Sequence, residues 1–162
     1  VLAGPLVWQR DSESRRLSSR PSPLRCSTVS GAVALRLLLD TCSFLWIAGG
    51  APELSARARE AFEDPANDVF LSAASAWEIS IKHRMGRLPL PEPPETFVPG
   101  NREAHGIEPL GLDEPAALRV ARLPDLHRDP FDRILVAQAI EEGLVLLTPD
   151  EAIRQYAVRT LW

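Results

Sequence analysis

Four carboxylates stand where apolar, strand-like runs give way to helical ones. Asp40 follows LRLLL, Glu78 lies in SAASAWEIS, Asp132 in HRDPFDR, and Asp150 closes VLLTPD. In a parallel sheet the carboxyl ends of the strands share one edge, and ligands bind at that edge. Carboxylates gathered there repel one another unless a cation neutralises them. Oxygen ligands favour a hard divalent ion such as Mg2+ or Mn2+. The pattern points to metal-dependent phosphodiester chemistry, with Asp40, Glu78, Asp132 and Asp150 as candidate catalytic residues.

Each acid also has a local, structural reading. Asp40 can cap the helix that follows it. Ser75-x-x-Glu78 has capping-box spacing, and Glu78 with Lys82 makes an i,i+4 pair worth ~0.2–0.5 kcal/mol on an exposed helix. In HRDPFDR, Asp129 fits the N-cap with Pro130 at the first helical position, so Asp129 is read as supporting the site rather than forming it. Asp132 then falls in the first turn, where the helix dipole favours a charged carboxylate. Thr148-x-x-Glu151 repeats the spacing, making Thr148 the cap and leaving Asp150 to face the sheet edge. The caps account for the neighbours better than for Asp132 and Asp150 themselves. His127 reads as a capping or packing residue. Arg133 reads equally as a guide for substrate phosphate or as the partner of a surface acid.

The elements that must position these residues alternate. LRLLL (35–39) suits a central strand buried on both faces. TCSFLWIAG and LSARAREAFED read as helices, VFLS (69–72) as a strand, and AASAWEISIKHRMG as a helix with Trp77, Ile81 and Met85 on one face. LPLPEPPETFVPG reads as a Pro-rich connection, with only a marginal helix near 101–105. IEPLG is a candidate strand, and DEPAALRVARL and PFDRILVAQAIEEG are helices. VLLT is a strand, PDEAIRQY a short helix and VRTLW an edge strand. The alternation implies a three-layer α/β/α sandwich on a mostly parallel sheet.

Residues 35–162 form the expected folded domain, and 162 residues with 45% hydrophobic content suffice for one core. They carry 13 basic and 20 acidic residues, a balance of −7, which excludes binding of nucleic acid through a broad basic face. Residues 1–34 differ, with seven Ser, five Arg and three Pro and no period. That composition predicts a disordered N-terminal extension or a start assigned too far upstream. The two cysteines, Cys26 and Cys42, lack metal-ligand spacing and fit free thiols in a reducing cytoplasm. No apolar run reaches the length of a membrane span.

LLLDTCSFLW, SAASAWEISIKHRMGRL, LHRDPFDRILVAQA and VLLTPDEAIRQYAVRTLW occur in this order. Together they resemble PIN-domain proteins of the VapC toxin type, and the likeness spans residues 35–162. The resemblance implies a PIN-like fold and a Mg2+- or Mn2+-dependent endoribonuclease held inactive by a small VapB-like antitoxin. It also implies a homodimer with two active sites along a shared groove. It maps the family's acidic quartet onto Asp40, Glu78, Asp132 and Asp150, with Asp40 and Asp132 as the nearest metal ligands. Asp129, Lys82 and Arg133 follow as supporting or substrate-steering residues. Cys42 stands where relatives often carry His and is given no catalytic role. Hydrolysis by such a site leaves a 5′-phosphate and a 3′-hydroxyl. His83, His105 and His127 offer no pair suited to activating a 2′-hydroxyl.

Other classes fit less well. A haloacid-dehalogenase-type phosphotransferase needs a second Asp where Cys42 stands, and a receiver-like domain needs a Lys after a late strand, whereas Lys82, the sole Lys, is in a helix. A housekeeping RNA-processing PIN nuclease and a catalytically silent PIN-like module are the nearer alternatives. A short reading frame just upstream, encoding a DNA-binding antitoxin, separates them from the toxin reading. Trp46 and Ile47 on the first helix and Trp77 and Ile81 on the third are a candidate surface for an antitoxin helix.

Overall fold

A computed structural model describes residues 34–162; the expectation for residues 1–33, and Cys26 with it, lies outside the described residues. Five strands, β1 (Arg36–Leu39), β2 (Asp68–Ser72), β3 (Glu108–Leu110), β4 (Val145–Leu147) and β5 (Thr160–Leu161), form one sheet in the order β3-β2-β1-β4-β5. Every pairing is parallel. The helices are α1 (Thr41–Gly49), α2 (Ala56–Glu63), α3 (Ala73–Arg84), α4 (Pro94–Ala104), α5 (Glu114–Arg119) and α6 (Pro130–Glu141).

The unbroken apolar run of β1 is explained by its central place. Leu37 and Leu39 point to one face, where they join Phe44 and Ile47 of α1, Phe62 of α2, Ile79 of α3 and Phe97 of α4. Leu38 points to the other and packs with Leu135, Val136 and Ala139 of α6, Leu146 of β4 and Tyr156. Side chains of period two buried on both faces make the three layers expected from the sequence. β1 connects outward to β2, whereas its other neighbour, β4, follows α6. The strand order therefore reverses between β1 and β4, a topological switch point of the kind at which open α/β sheets bind ligands.

Two local expectations are corrected. The Pro-rich connection is largely helical: α4 begins at Pro94, after Pro93 as N-cap, and continues through Pro99. Proline at the first helical position is pre-organised, and burial of Phe97 and Val98 offsets the hydrogen bond lost at Pro99. The short helix expected in PDEAIRQY shrinks to one 3-10 turn, Ile153–Gln155.

The face of α3 carrying Trp77, Ile81 and Met85 turns outward, with Trp77 61% and Met85 55% exposed. The surface expected to hold an antitoxin helix is broken up accordingly. Ile47 is buried in the core, and Trp46 packs on Trp162 with ring centroids 5.6 Å apart.

Candidate metal centre

Asp40 is the first residue past β1 and the N-cap of α1. One carboxylate oxygen accepts from the Cys42 amide at 2.6 Å and the other from the Thr148 hydroxyl at 2.6 Å. The capping and site readings of Asp40 therefore coexist: the cap fixes the carboxylate at the end of the central strand. Thr148 follows β4, so this contact ties the two strands together at the switch point. Burial pushes Asp40 up to about 6, against the two hydrogen bonds and with help from the charges of Glu78 and Asp150.

Glu78 is not in a capping box. Ser72 caps α3, accepting from the Ala74 amide at 3.0 Å, and the buried Ser75 hydroxyl has no hydrogen-bond partner among the described residues. Glu78 is buried in the middle of α3. It accepts from the Thr41 hydroxyl at 2.5 Å and pairs with Lys82. That pair is no surface contact, since the Glu78 side chain is only 5% exposed. Burial alone would lower the Lys82 ammonium, but the hydrogen bond and charge of Glu78 outweigh it and raise it.

Asp129 caps α6 as its spacing implies, accepting from the Phe131 amide at 2.9 Å with Pro130 at the first position. Asp132, in the first turn, is pushed up to about 8, chiefly by burial and then by the charges of Asp40, Asp129, Glu78 and Asp150. The acids far apart in sequence thus act on one another in the folded chain. The expected division of labour at Thr148 is altered. Thr148 accepts from the Asp150 amide at 3.1 Å, while Asp150 itself caps the following turn, accepting from the Ala152 amide at 2.7 Å with one oxygen. Its second oxygen faces His127.

His127 is a site residue that the sequence reading left out. Its Nδ1 lies 3.3 Å from Asp132 Oδ2, and its Nε2 lies 3.5 Å from Asp150 Oδ2. The Asp129 amide donates to Nδ1 at 3.0 Å, which makes Nδ1 an acceptor and leaves the ring proton on Nε2, facing Asp150. The Tyr156 hydroxyl accepts from the His127 amide at 2.9 Å and holds the loop in place. The one available signal was its position two residues before Asp129, on the approach to α6.

Arg133 is engaged within the chain. Its guanidinium donates to the carbonyls of Val120, Leu123 and Pro124 at 3.0, 3.1 and 2.8 Å and also pairs with Asp125. It gathers the chain that leads to His127. The Cys42 thiol, beside Asp40 and Glu78, is pushed up to about 12 by burial and then by those charges, and so has no nucleophilic role.

One ligand atom from each of His127, Asp132 and Asp150 lies within 4.8 Å of the others. With Nδ1 of His127 occupied by the Asp129 amide, the free donors of this group are the carboxylates of Asp132 and Asp150, and a divalent cation there would relieve the repulsion at Asp132. Among the described residues no helix is long and apolar enough to cross a membrane.

Known proteins resemble this chain in sequence or in fold. Ribonuclease VapC22 of Mycobacterium tuberculosis is 28% identical over 121 residues, covering 74% of this chain and 91% of that protein. Ribonuclease VapC16 of the same organism is 46% identical over 66 residues, so that the match covers 38% of this chain and 47% of that relative's length. VapBC2 from Rickettsia felis, solved with a promoter DNA fragment, superposes with a TM-score of 0.59 at 12% identity, over 78% of this chain and 98% of that one. DNA-bound VapBC from Salmonella typhimurium gives 0.56 at 18% identity, over 78% and 97%. The PIN domain family matches residues 37–159, from the central strand to the approach to β5, and the chain belongs to that family.

Proposed function

We propose that this chain is a metal-dependent endoribonuclease, the toxin of a toxin–antitoxin pair. The observation that carries the reading is geometric: Asp40 at the end of β1 accepts from Thr148 after β4, Glu78 accepts from Thr41 beside Asp40, and Asp132 and Asp150 both reach the His127 ring. The ribonuclease names of the two relatives and the paired VapBC structures support it.

Asp132 and Asp150 would hold the ion, with Asp40 completing the set, since each of its oxygens retains a lone pair beside its hydrogen bond. The preponderance of carboxylate oxygen favours Mg2+ or Mn2+. When bound, the ion supplies Lewis-acid polarisation of the scissile phosphate and an activated water. The protein's part is orientation. Thr148 and the Cys42 amide fix Asp40, Thr41 and Lys82 fix Glu78, and His127 braces Asp150. Hydrolysis of the P–O3′ bond then leaves a 5′-phosphate and a 3′-hydroxyl.

A VapB-like antitoxin would silence the site by bringing positive charge to these acids. Arg suits that task because its planar fork binds carboxylates in two-pronged fashion. The family resemblance adds a homodimer and a cytoplasmic setting. Cleavage of a defined single-stranded RNA by purified protein tests the activity. It should require Mg2+ or Mn2+, stop with excess chelator, and fall to background in Asp40→Asn and Asp132→Asn. Undiminished cleavage in chelator would overturn the metal mechanism.

A further inference from the structure

His127 lies in the loop that leads into α6, and its ring approaches both acids read as holding the ion. Nδ1 is 3.3 Å from Asp132 Oδ2, and Nε2 is 3.5 Å from Asp150 Oδ2. Three contacts fix the ring and its backbone. The Asp129 amide donates to Nδ1 at 3.0 Å, the His127 amide donates to the Tyr156 hydroxyl at 2.9 Å, and Arg133 donates to the His127 carbonyl at 3.5 Å. Tyr156 is itself buried, so the loop is anchored on the core.

These contacts decide what each nitrogen can do. Nδ1 spends its lone pair on the Asp129 amide, so the ring proton sits on Nε2. A protonated Nε2 has no lone pair for a metal, but it can donate. Its distance to Asp150 exceeds the about 2.7–3.2 Å of a well-formed N–H···O bond. The side chains of His127, Asp132 and Asp150 are all partly exposed, so a ligand that reaches the two acids also reaches this donor. Two cations of the site are already engaged, Lys82 with Glu78 and Arg133 with backbone carbonyls. Phosphodiester hydrolysis builds negative charge on the oxygens of the phosphorus, and a positioned N–H aimed at that charge is far more effective than one in water. A phosphate drawn to an ion on Asp132 and Asp150 comes to the ring that spans them.

Resting on the ribonuclease reading, we propose that His127 is a further catalytic residue, whose Nε2–H donates to a non-bridging oxygen of the scissile phosphate. In the RNA-free chain the same proton faces Asp150, and the phosphate takes it over. The ring is held for this role by the Asp129 amide and is not itself a metal ligand.

The test compares the wild type with His127→Asn and His127→Gln. Asparagine keeps an acceptor near the place of Nδ1 and has nothing at the place of Nε2, whereas glutamine keeps a donor near Nε2. Three quantities are measured: steady-state cleavage of a single-stranded oligoribonucleotide in Mn2+, Mn2+ affinity by calorimetry, and binding of the labelled RNA by anisotropy with Ca2+ in place of Mn2+. Cleavage is repeated with each phosphorothioate diastereomer at the mapped cleavage position, because sulfur is a weak acceptor. His127→Asn should lower kcat about 100-fold, the usual loss for one such donor, with the Mn2+ Kd within about threefold. His127→Gln should recover a large part of the loss. One diastereomer should slow the wild type more than it slows His127→Asn, since an oxygen bound to the ion gives the same sulfur effect in both proteins.

A loss of kcat matched by an equal loss of Mn2+ affinity would reduce His127 to a brace for Asp150 and overturn the proposal. So would an unchanged kcat, or sulfur effects that are the same in both proteins. If the wild type does not cleave RNA, the ribonuclease reading fails and binding in Ca2+ decides the contact by itself. RNA binding weakened in His127→Asn then upholds the contact with phosphate, and unmoved binding overturns it.

Discussion

Asp132 shows most sharply what the site costs the folded chain. Its carboxyl rises from an ordinary 3.8 to about 8, and that of Asp40 from 3.8 to about 6, with burial as the first cause of each. Between roughly pH 4 and 8 the folded, metal-free protein keeps protons that the unfolded chain releases. The unfolded state then binds fewer protons, so stability falls as pH rises through that window. Thermal melts in chelator should show the decline, and Asp132→Asn should flatten it, melting higher than the wild type at pH 8 and about equally at pH 4. A wild type that gains stability from pH 5 to 8 would contradict the assignment. Arg133 makes the opposite point, because its partners are backbone carbonyls. Arg133→Met should cost about 1–3 kcal/mol of stability, the usual penalty for stranding such groups, with little change in KM for RNA. A raised KM at unchanged stability would restore the steering role. Asp40 and Asp132 stand out in the sequence because one follows a strand and the other opens a helix, whereas Glu78 lies in the middle of α3. His127 was not legible, because its place depends on Asp150, which only the fold brings alongside.

At the scale of elements, strands and helices were read correctly where hydrophobic period and caps agreed, as in β1, α6 and the Asp129-Pro130 start. They were misread where local chemistry and tertiary packing disagree. The prolines around 89–99 argue against a helix, yet α4 forms because Phe97 and Val98 insert into the core shared with α1. Phe97 also packs edge to face on Phe44, with centroids 6.3 Å apart. Phe97→Ala should therefore cost about 3–5 kcal/mol in denaturant unfolding, as a large cavity does. A loss below about 1 kcal/mol would mean that α4 does not depend on this anchor. The face of α3 is the other instructive case. A period of three to four places Trp77, Ile81 and Met85 together, but periodicity does not say which face is inside. Glu78 settles the matter, since its pairing with Thr41 and Lys82 turns that face inward and Trp77 outward.

The whole molecule joins an acidic body to a sheet edge where further acids gather. The sheet order sets that edge, by reversing between β1 and β4, so the site belongs to the fold rather than to any single motif. Capture of a divalent cation by these acids is the central claim. Titration of Mn2+ into the purified protein by calorimetry tests it directly, at several pH values between 6 and 8. Because the ion must displace the proton on Asp132, affinity should rise about tenfold per pH unit across that range. Asp132→Asn should abolish tight binding. Binding that is absent, insensitive to pH, or unchanged in Asp132→Asn would contradict the account.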